Sequence, residues 1–132
     1  EYALESYRDP ADPEGEMRWK NDGLKQPRNL PGKFNCEKFL RQFRKSSRQQ
    51  LLESTRTANC PDCMNKVFLA VFMNKDKKFY DDFHWWRQNE DGTWTWKLRG
   101  RVPVKGHPED DVYPGPPGSG WVRQDCGYFC AQ

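Results

Sequence analysis

The number and spacing of the cysteines constrain the possible folds of this chain more than any other feature. Five are present: Cys60 and Cys63 form one close pair, Cys126 and Cys130 form another, and Cys36 stands alone. In an oxidising compartment four cysteines pair and one remains, and we expect that one to be Cys36. The other four allow three pairings, so their connectivity stays open. In a reducing compartment the two pairs could instead bind zinc through four thiolates, or remain free thiols.

The composition favours a folded domain in which aromatic rings supply much of the core. The chain has 132 residues, of which 35% are hydrophobic and 14% aromatic, including six tryptophans. This length fits a single domain over residues 1–132, and the aromatic content argues against disorder. No apolar run approaches the roughly 20 residues of a membrane-spanning helix, so we predict no membrane span. A net charge of +3 does not favour nucleic acid as a partner. We predict no cofactor.

The first half of the chain is predicted to change from an extended segment to a helical one. Residues 1–34 contain several Pro and Gly without a sustained period and are interpreted as an extended lead-in. Residues 35–57 are predicted to be helical, with Asn35 as N-cap. Apolar residues there recur with the period of an amphipathic helix, at Cys36, Phe39, Leu40 and Phe43.

The second half is predicted to be β. Residues 66–99 read as a β meander, beginning with a strand that is apolar on both faces. Residues 101–120 are rich in Pro and Gly and predict a long surface loop, and residues 121–130 predict a final strand. The expected fold class is therefore α+β, with an N-terminal helix or helices packed on an antiparallel sheet of about four strands.

A hairpin signal at Asp91-Gly92 fixes the expected register of the meander. A loop of two or four residues would place Phe83 and Trp85 on the face that carries Trp94 and Trp96. His84 is then left on the other face.

Cys36 is the candidate nucleophile. A thiol in the first turn of a helix lies at the positive end of the helix dipole, which stabilises the thiolate. A nucleophilic cysteine needs a base within hydrogen-bond reach, and the chain offers two histidines, His84 on the hairpin and His107 in the Pro-rich loop. The alternative is that Cys36 packs in the core as a small apolar residue.

The order of these parts resembles a known family. A helix that begins with Cys, followed by an antiparallel sheet whose second strand starts with His, resembles the minimal papain-like cysteine hydrolases of the NlpC type. A closer resemblance is to a group of bacterial and viral proteins with the motifs "DFHWYRQ", "DGTWSHKPG" and "FCGYFC". The matching stretches are "DFHWWRQNEDGTW" at residues 82–94 and "DCGYFC" at residues 125–130. The resemblance covers roughly residues 33–132.

The resemblance implies a papain-like core with Cys36 as nucleophile and His84 as general base. The implied function is a secreted cysteine hydrolase or amide-transferring enzyme that acts on peptide-like bonds, with a peptide or protein as substrate. The sequence departs from the motif where "TWKLRG" places Trp96 at the position of an expected histidine. The alternative is therefore a catalytically inactive secreted interaction protein or effector on the same scaffold, which binds a host protein target.

Overall fold

An antiparallel sheet of six strands forms the centre of the fold. The computed structural model describes residues 33–46, 50–96 and 104–132. Within them the strands lie in the order β1-β6-β2-β3-β4-β5. The elements are helix α1 (Cys36–Ser46) and strands β1 (Leu51–Glu53), β2 (Asn65–Asn74), β3 (Asp82–Gln88), β4 (Trp94–Trp96), β5 (Val104–Lys105) and β6 (Trp121–Ala131).

The expected α+β architecture, with several helices on about four strands and a papain-like core, is wrong. The described residues contain one short helix and six strands. Residues 35–57 are predicted to be helical, but the helix ends at Ser46. Leu51–Glu53 forms the edge strand β1 along the end of β6. Pairing with β6 satisfies the backbone there and overrides a weak local helix preference. The predicted lead-in lies outside the described residues as far as residue 32.

The central strand β2 is apolar on both faces because both faces of the sheet are covered. Val67, Leu69 and Val71 point to the side that carries α1. Phe68 and Ala70 point to the opposite side. The side chains of β2 alternate between the two faces and therefore contribute to two separate cores, which we call the helix-side core and the loop-side core.

The helix-side core forms where α1 lies on the sheet. Phe39 and Phe43 are buried on the inner face of the helix. The Phe39 ring lies 4.7 Å from that of Phe83, and the Phe43 ring lies 5.6 Å from that of Trp85. The predicted N-cap is confirmed, because the Lys38 N–H donates to Asn35 Oδ1 at 2.9 Å.

The loop-side core forms where residues 106–120 cross the other face. Its buried members are Phe68, Ala70, Trp86 and Trp94. The covering segment is held by Arg123 on β6, whose guanidinium donates to the carbonyl oxygens of Pro108, Asp111 and Tyr113 at 2.6, 2.6 and 3.3 Å. The same guanidinium lies 4.6 Å from the Trp86 ring.

The turn between β3 and β4 has three residues, not two or four. The Asn89 N–H donates to the Thr93 carbonyl at 2.7 Å, which leaves Glu90 to Gly92 as the loop. Gly92 has a φ of +85°, the left-handed conformation that ends a three-residue hairpin loop. An odd loop length shifts the register by one residue relative to the prediction.

That shift reverses the predicted faces of the hairpin. Gln88 pairs with Trp94, so the even-numbered residues of β3 share a face with the tryptophans of β4. His84 consequently lies beside Trp96 in the loop-side core, and Trp85 lies in the helix-side core.

A β-bulge in β6 is the main irregularity of the sheet. Leu69 pairs with Gly127 and Ala70 pairs with Asp125, so Cys126 is the extra residue. Gly127 has a φ of +104°, which a bulge with glycine accommodates. The bulge turns Cys126 toward the helix side, although Tyr128 packs on the loop side.

We predict that Phe39→Ala lowers the free energy of unfolding by about 3 to 5 kcal/mol, because it leaves a cavity under the helix. The measurement is urea denaturation with the disulfides intact. Leu52→Ala on β1 is the control: the side chain is 40% exposed, and the loss should stay below about 1 kcal/mol. Equal losses in the two variants would contradict the packing described for α1.

Candidate functional site

Cys36 begins α1, as the sequence predicts, but its sulfur is bonded to Cys126. The two Cα atoms lie 5.3 Å apart, a normal separation for a disulfide. The Cys36 N–H donates to the Gln124 side-chain oxygen at 3.3 Å, so the start of the helix is fixed to β6 at two points. The expectation that Cys36 is the unpaired cysteine is wrong, and in this structure the residue carries no thiolate.

His84 lies in the loop-side core, enclosed by aromatic rings. Its ring stacks on Tyr113 at 4.3 Å and meets Trp86 and Trp96 edge-on at 4.5 and 4.7 Å. The residue is 8% exposed, and its Nε2 has no hydrogen-bond partner among the described residues. Burial lowers the pKa of His84 from 6.5 to about 3, while the nearby carboxylate of Asp111 opposes the shift.

The structure does not bring Cys36 and His84 together. Cys36 packs against the helix-side core, and His84 belongs to the opposite side of the sheet. His84 pairs with Ala70 of β2, whose side chain lies in the loop-side core, whereas Cys36 begins the helix that packs on the other side. His107, the other histidine, has its ring 5.5 Å from that of Trp94, also on the loop side.

The second disulfide joins Cys60 to Cys130, with Cα atoms 5.6 Å apart. Two disulfides among five cysteines confirm the expectation of disulfide bonding, and the unpaired residue is the exposed Cys63. The zinc alternative is wrong for this structure, because Cys60, Cys126 and Cys130 are all in disulfides. The described residues contain no group of three or more His, Cys, Asp or Glu that could hold a metal ion.

A polar cavity of about 640 Å³ lies between the turn at residues 60–64 and the end of the β3–β4 hairpin. Cys60 and Cys63 lie on one wall. Both carboxylates and amides contribute to the lining, together with one guanidinium: Asp62, Asn65, Arg87, Gln88, Asn89 and Glu90. The volume falls in the range of sites for small ligands.

Arg87 is the most buried charged residue of this cavity wall, at 3% exposure. Its Nη2 donates to Asn65 Oδ1 at 3.4 Å, which directs the guanidinium along the end of β2. Asp62 stands on the opposing turn and is exposed. The cavity therefore offers groups of both charges with amides between them.

Sequence reasoning missed this site because its parts are far apart in the chain. The turn at 60–64 reads as a cysteine pair, and residues 87–90 read as the end of a hairpin strand. A signal was present in the Cys60-Pro-Asp-Cys63 motif, but its partner Cys130 could not be chosen from three possible pairings. The role of Arg123 also left no local signal, because its acceptors are backbone carbonyls of another segment.

No family model matches the chain, and no curated protein or solved structure gives a match. No helix in the described ranges is long and apolar enough to cross a membrane.

We predict that a brief pulse of iodoacetamide modifies the folded, unreduced protein once, at Cys63, because this thiol is exposed and the other four sulfurs are in disulfides. Intact mass should show one adduct before reduction and five after reduction in denaturant. Peptide mapping should locate the adduct formed before reduction at Cys63. Early modification of Cys36 would contradict this assignment and restore the candidate nucleophile.

A second prediction concerns acid stability. The unfolded state protonates His84 below its ordinary pKa of 6.5, whereas the folded state does not until about pH 3, so acid favours unfolding across this window. His84 should therefore account for about 2 kcal/mol of stability lost between pH 7 and pH 5. His84→Phe keeps an aromatic ring and removes the proton site, so its stability should fall less over the same range.

Urea denaturation at both pH values provides the measurement. Tyr113→Phe is the control, because it keeps both the stacked ring and the histidine and should retain the acid loss of the wild type. An unchanged pH dependence in His84→Phe would contradict the burial of the neutral imidazole.

Proposed function

We propose that the protein is a secreted, non-catalytic interaction protein that binds a polar peptide segment of a partner in the cavity between residues 60–64 and the β3–β4 hairpin. The observation that carries the proposal is the polar cavity of about 640 Å³, whose walls present a guanidinium, carboxylates and amides together. Such a lining suits the main chain and charged side chains of a peptide better than an apolar ligand.

The arrangement of Cys36 and His84 favours binding over hydrolysis. A cysteine hydrolase needs a free thiolate within hydrogen-bond reach of its base. Here the sulfur of Cys36 is bonded to Cys126, and the imidazole of His84 lies across the sheet among tryptophans. Reduction of the disulfide would release the thiol on the helix side and leave the imidazole where it is.

The two disulfides support the proposed location outside the cell. Disulfides persist in oxidising compartments and are uncommon in the cytosol. The loops closed here are long, with sequence separations of 90 and 70 residues. In the chain-entropy model a disulfide across a loop of this length stabilises the fold by about 4 kcal/mol, which suits a small domain exposed to an extracellular environment.

Both walls of the cavity are held in place before a ligand arrives. The Cys60–Cys130 disulfide fixes one wall to β6. The other wall is the hairpin, closed by hydrogen bonds between Asn89 and Thr93, including one from the Asn89 side chain to Thr93 Oγ1 at 3.1 Å. Preorganised walls reduce the entropy cost of binding a flexible segment.

The test is selection of peptides from a random library displayed on phage, followed by affinity measurement with purified variants. Asp62→Arg reverses a charge on the cavity wall and should weaken the selected peptides at least tenfold, that is by about 1.4 kcal/mol. Asp76→Arg is the matched control: it makes the same exposed change in the turn beyond the far end of β2 and should alter affinity less than twofold.

Peptides that bind wild type and both variants equally would contradict the assignment of the cavity. Failure to enrich any peptide would contradict peptide binding itself.

A further inference from the structure

Cys63 stands beside a disulfide with the spacing of a thiol–disulfide exchange motif. The segment Cys60-Pro-Asp-Cys63 has the Cys-X-X-Cys spacing that is common in redox-active proteins. Cys60 is in a disulfide, while Cys63 carries an exposed free thiol three residues later. Both residues line the same polar cavity, and Cys63 lies within a turn that is closed by a hydrogen bond from the Met64 N–H to the Pro61 carbonyl at 3.1 Å.

We propose that Cys63 exchanges with this disulfide, so that the protein interconverts between a Cys60–Cys130 form and a Cys60–Cys63 form. The Cys63 thiolate attacks the sulfur of Cys60, a new bond forms between those two sulfurs, and the bond from Cys60 to Cys130 breaks. The electron pair leaves on Cys130, which takes up the proton that Cys63 lost. The three sulfurs that take part form one disulfide and one thiol both before and after the step, so no oxidant or reductant is needed.

Burial decides which sulfur is attacked. Cys130 is 4% exposed and lies within β6, where it is flanked by Leu52 of β1 and Lys66 of β2. Cys60 is only partly buried and faces the cavity that holds the attacking thiol. Attack at Cys60 is therefore open from the solvent side, and Cys130 is the leaving group.

Cys130 lies opposite a buried lysine of the neighbouring strand. Lys66 pairs with Cys130 across the strands and is itself buried, with its ammonium group hydrogen-bonded to the carbonyls of Arg56 and Ala58. These hydrogen bonds hold Lys66 against the segment that carries Cys60, next to the strand position of the leaving sulfur.

The exchange changes how one cavity wall is held. In the Cys60–Cys130 form, residues 54–64 are joined covalently to β6. In the Cys60–Cys63 form the disulfide closes a small ring inside that segment, which is then held by the hydrogen bonds of Lys66 and the ion pair between Arg56 and Glu109. The wall loses its covalent bond to the sheet and keeps only these weaker contacts, so the exchange acts as a redox-neutral switch of the cavity. The chemistry stands whether or not the cavity binds a peptide.

The experiment follows the two forms in the unreduced full chain. The protein is incubated between pH 6.5 and 8, exchange is stopped in acidic denaturant, free thiols are labelled with a maleimide, and peptides are mapped without reduction. Two species are expected, one labelled at Cys63 and one at Cys130. The rate at which label appears at Cys130 should rise with pH across this range, because only the thiolate attacks.

Two variants sharpen the result. Cys63→Ser, an exposed change, should abolish labelling of Cys130 completely. Cys130→Ser should contain a Cys60–Cys63 disulfide and no free thiol, since it permits only the second form. Cys36 and Cys126 serve as the internal control and should remain unlabelled in all samples.

Label confined to Cys63 at every pH and time would overturn the proposal. So would two free thiols in a folded Cys130→Ser, because the short ring could then not close. Label spread over Cys36 and Cys126 would indicate general scrambling and would overturn it as well.

Discussion

The β-bulge in β6 determines which side of the sheet the side chains of β6 occupy before and after it. Before the bulge, Arg123 points to the loop side and binds three carbonyls of the covering segment. At the bulge, Cys126 turns to the helix side and bonds to the first residue of α1. One irregularity, permitted by the left-handed conformation of Gly127, thus fixes the helix on one face and the long loop on the other. Without it, simple alternation would place Arg123 under the helix and Cys126 under the loop.

This two-sided organisation separates the residues that sequence spacing suggested as a catalytic pair. Because both faces of β2 are covered, this small domain has two aromatic cores. Cys36 packs against the helix-side core, and His84 lies in the loop-side core. Cys36 becomes part of the covalent attachment of α1, where a disulfide across a long loop restricts the unfolded chain. His84 becomes a neutral aromatic partner of Tyr113, Trp86 and Trp96, where its desolvation opposes the protonation that a general base must accept.

The candidate functional site lies instead at the end of the sheet where β2, β3 and the 60–64 turn meet. There the exposed thiol of Cys63, the buried guanidinium of Arg87 and the amides of the hairpin line one cavity. The wall that carries the thiol is itself joined to β6 through Cys60 and Cys130. Ligand binding and disulfide exchange would therefore act on the same short segment, so each could alter the other through the position of that wall.

The sequence by itself determined the elements whose signals are local. The apolar period and Asn35 predict the start of α1, and the doubly apolar run predicts β2. The composition of 101–120 predicts a long surface loop, but Val104–Lys105 forms strand β5 within it. Tertiary structure alone decided the remainder: the edge strand β1, the odd register of the β3–β4 hairpin, the face of Cys126, the cysteine pairing and the cavity. The physical reason is that local preferences specify helix and strand over a few residues, whereas a shift of one residue in a turn or a bulge costs little locally and moves every following side chain to the other face. Only the packing of two covered faces against one sheet selects among those registers.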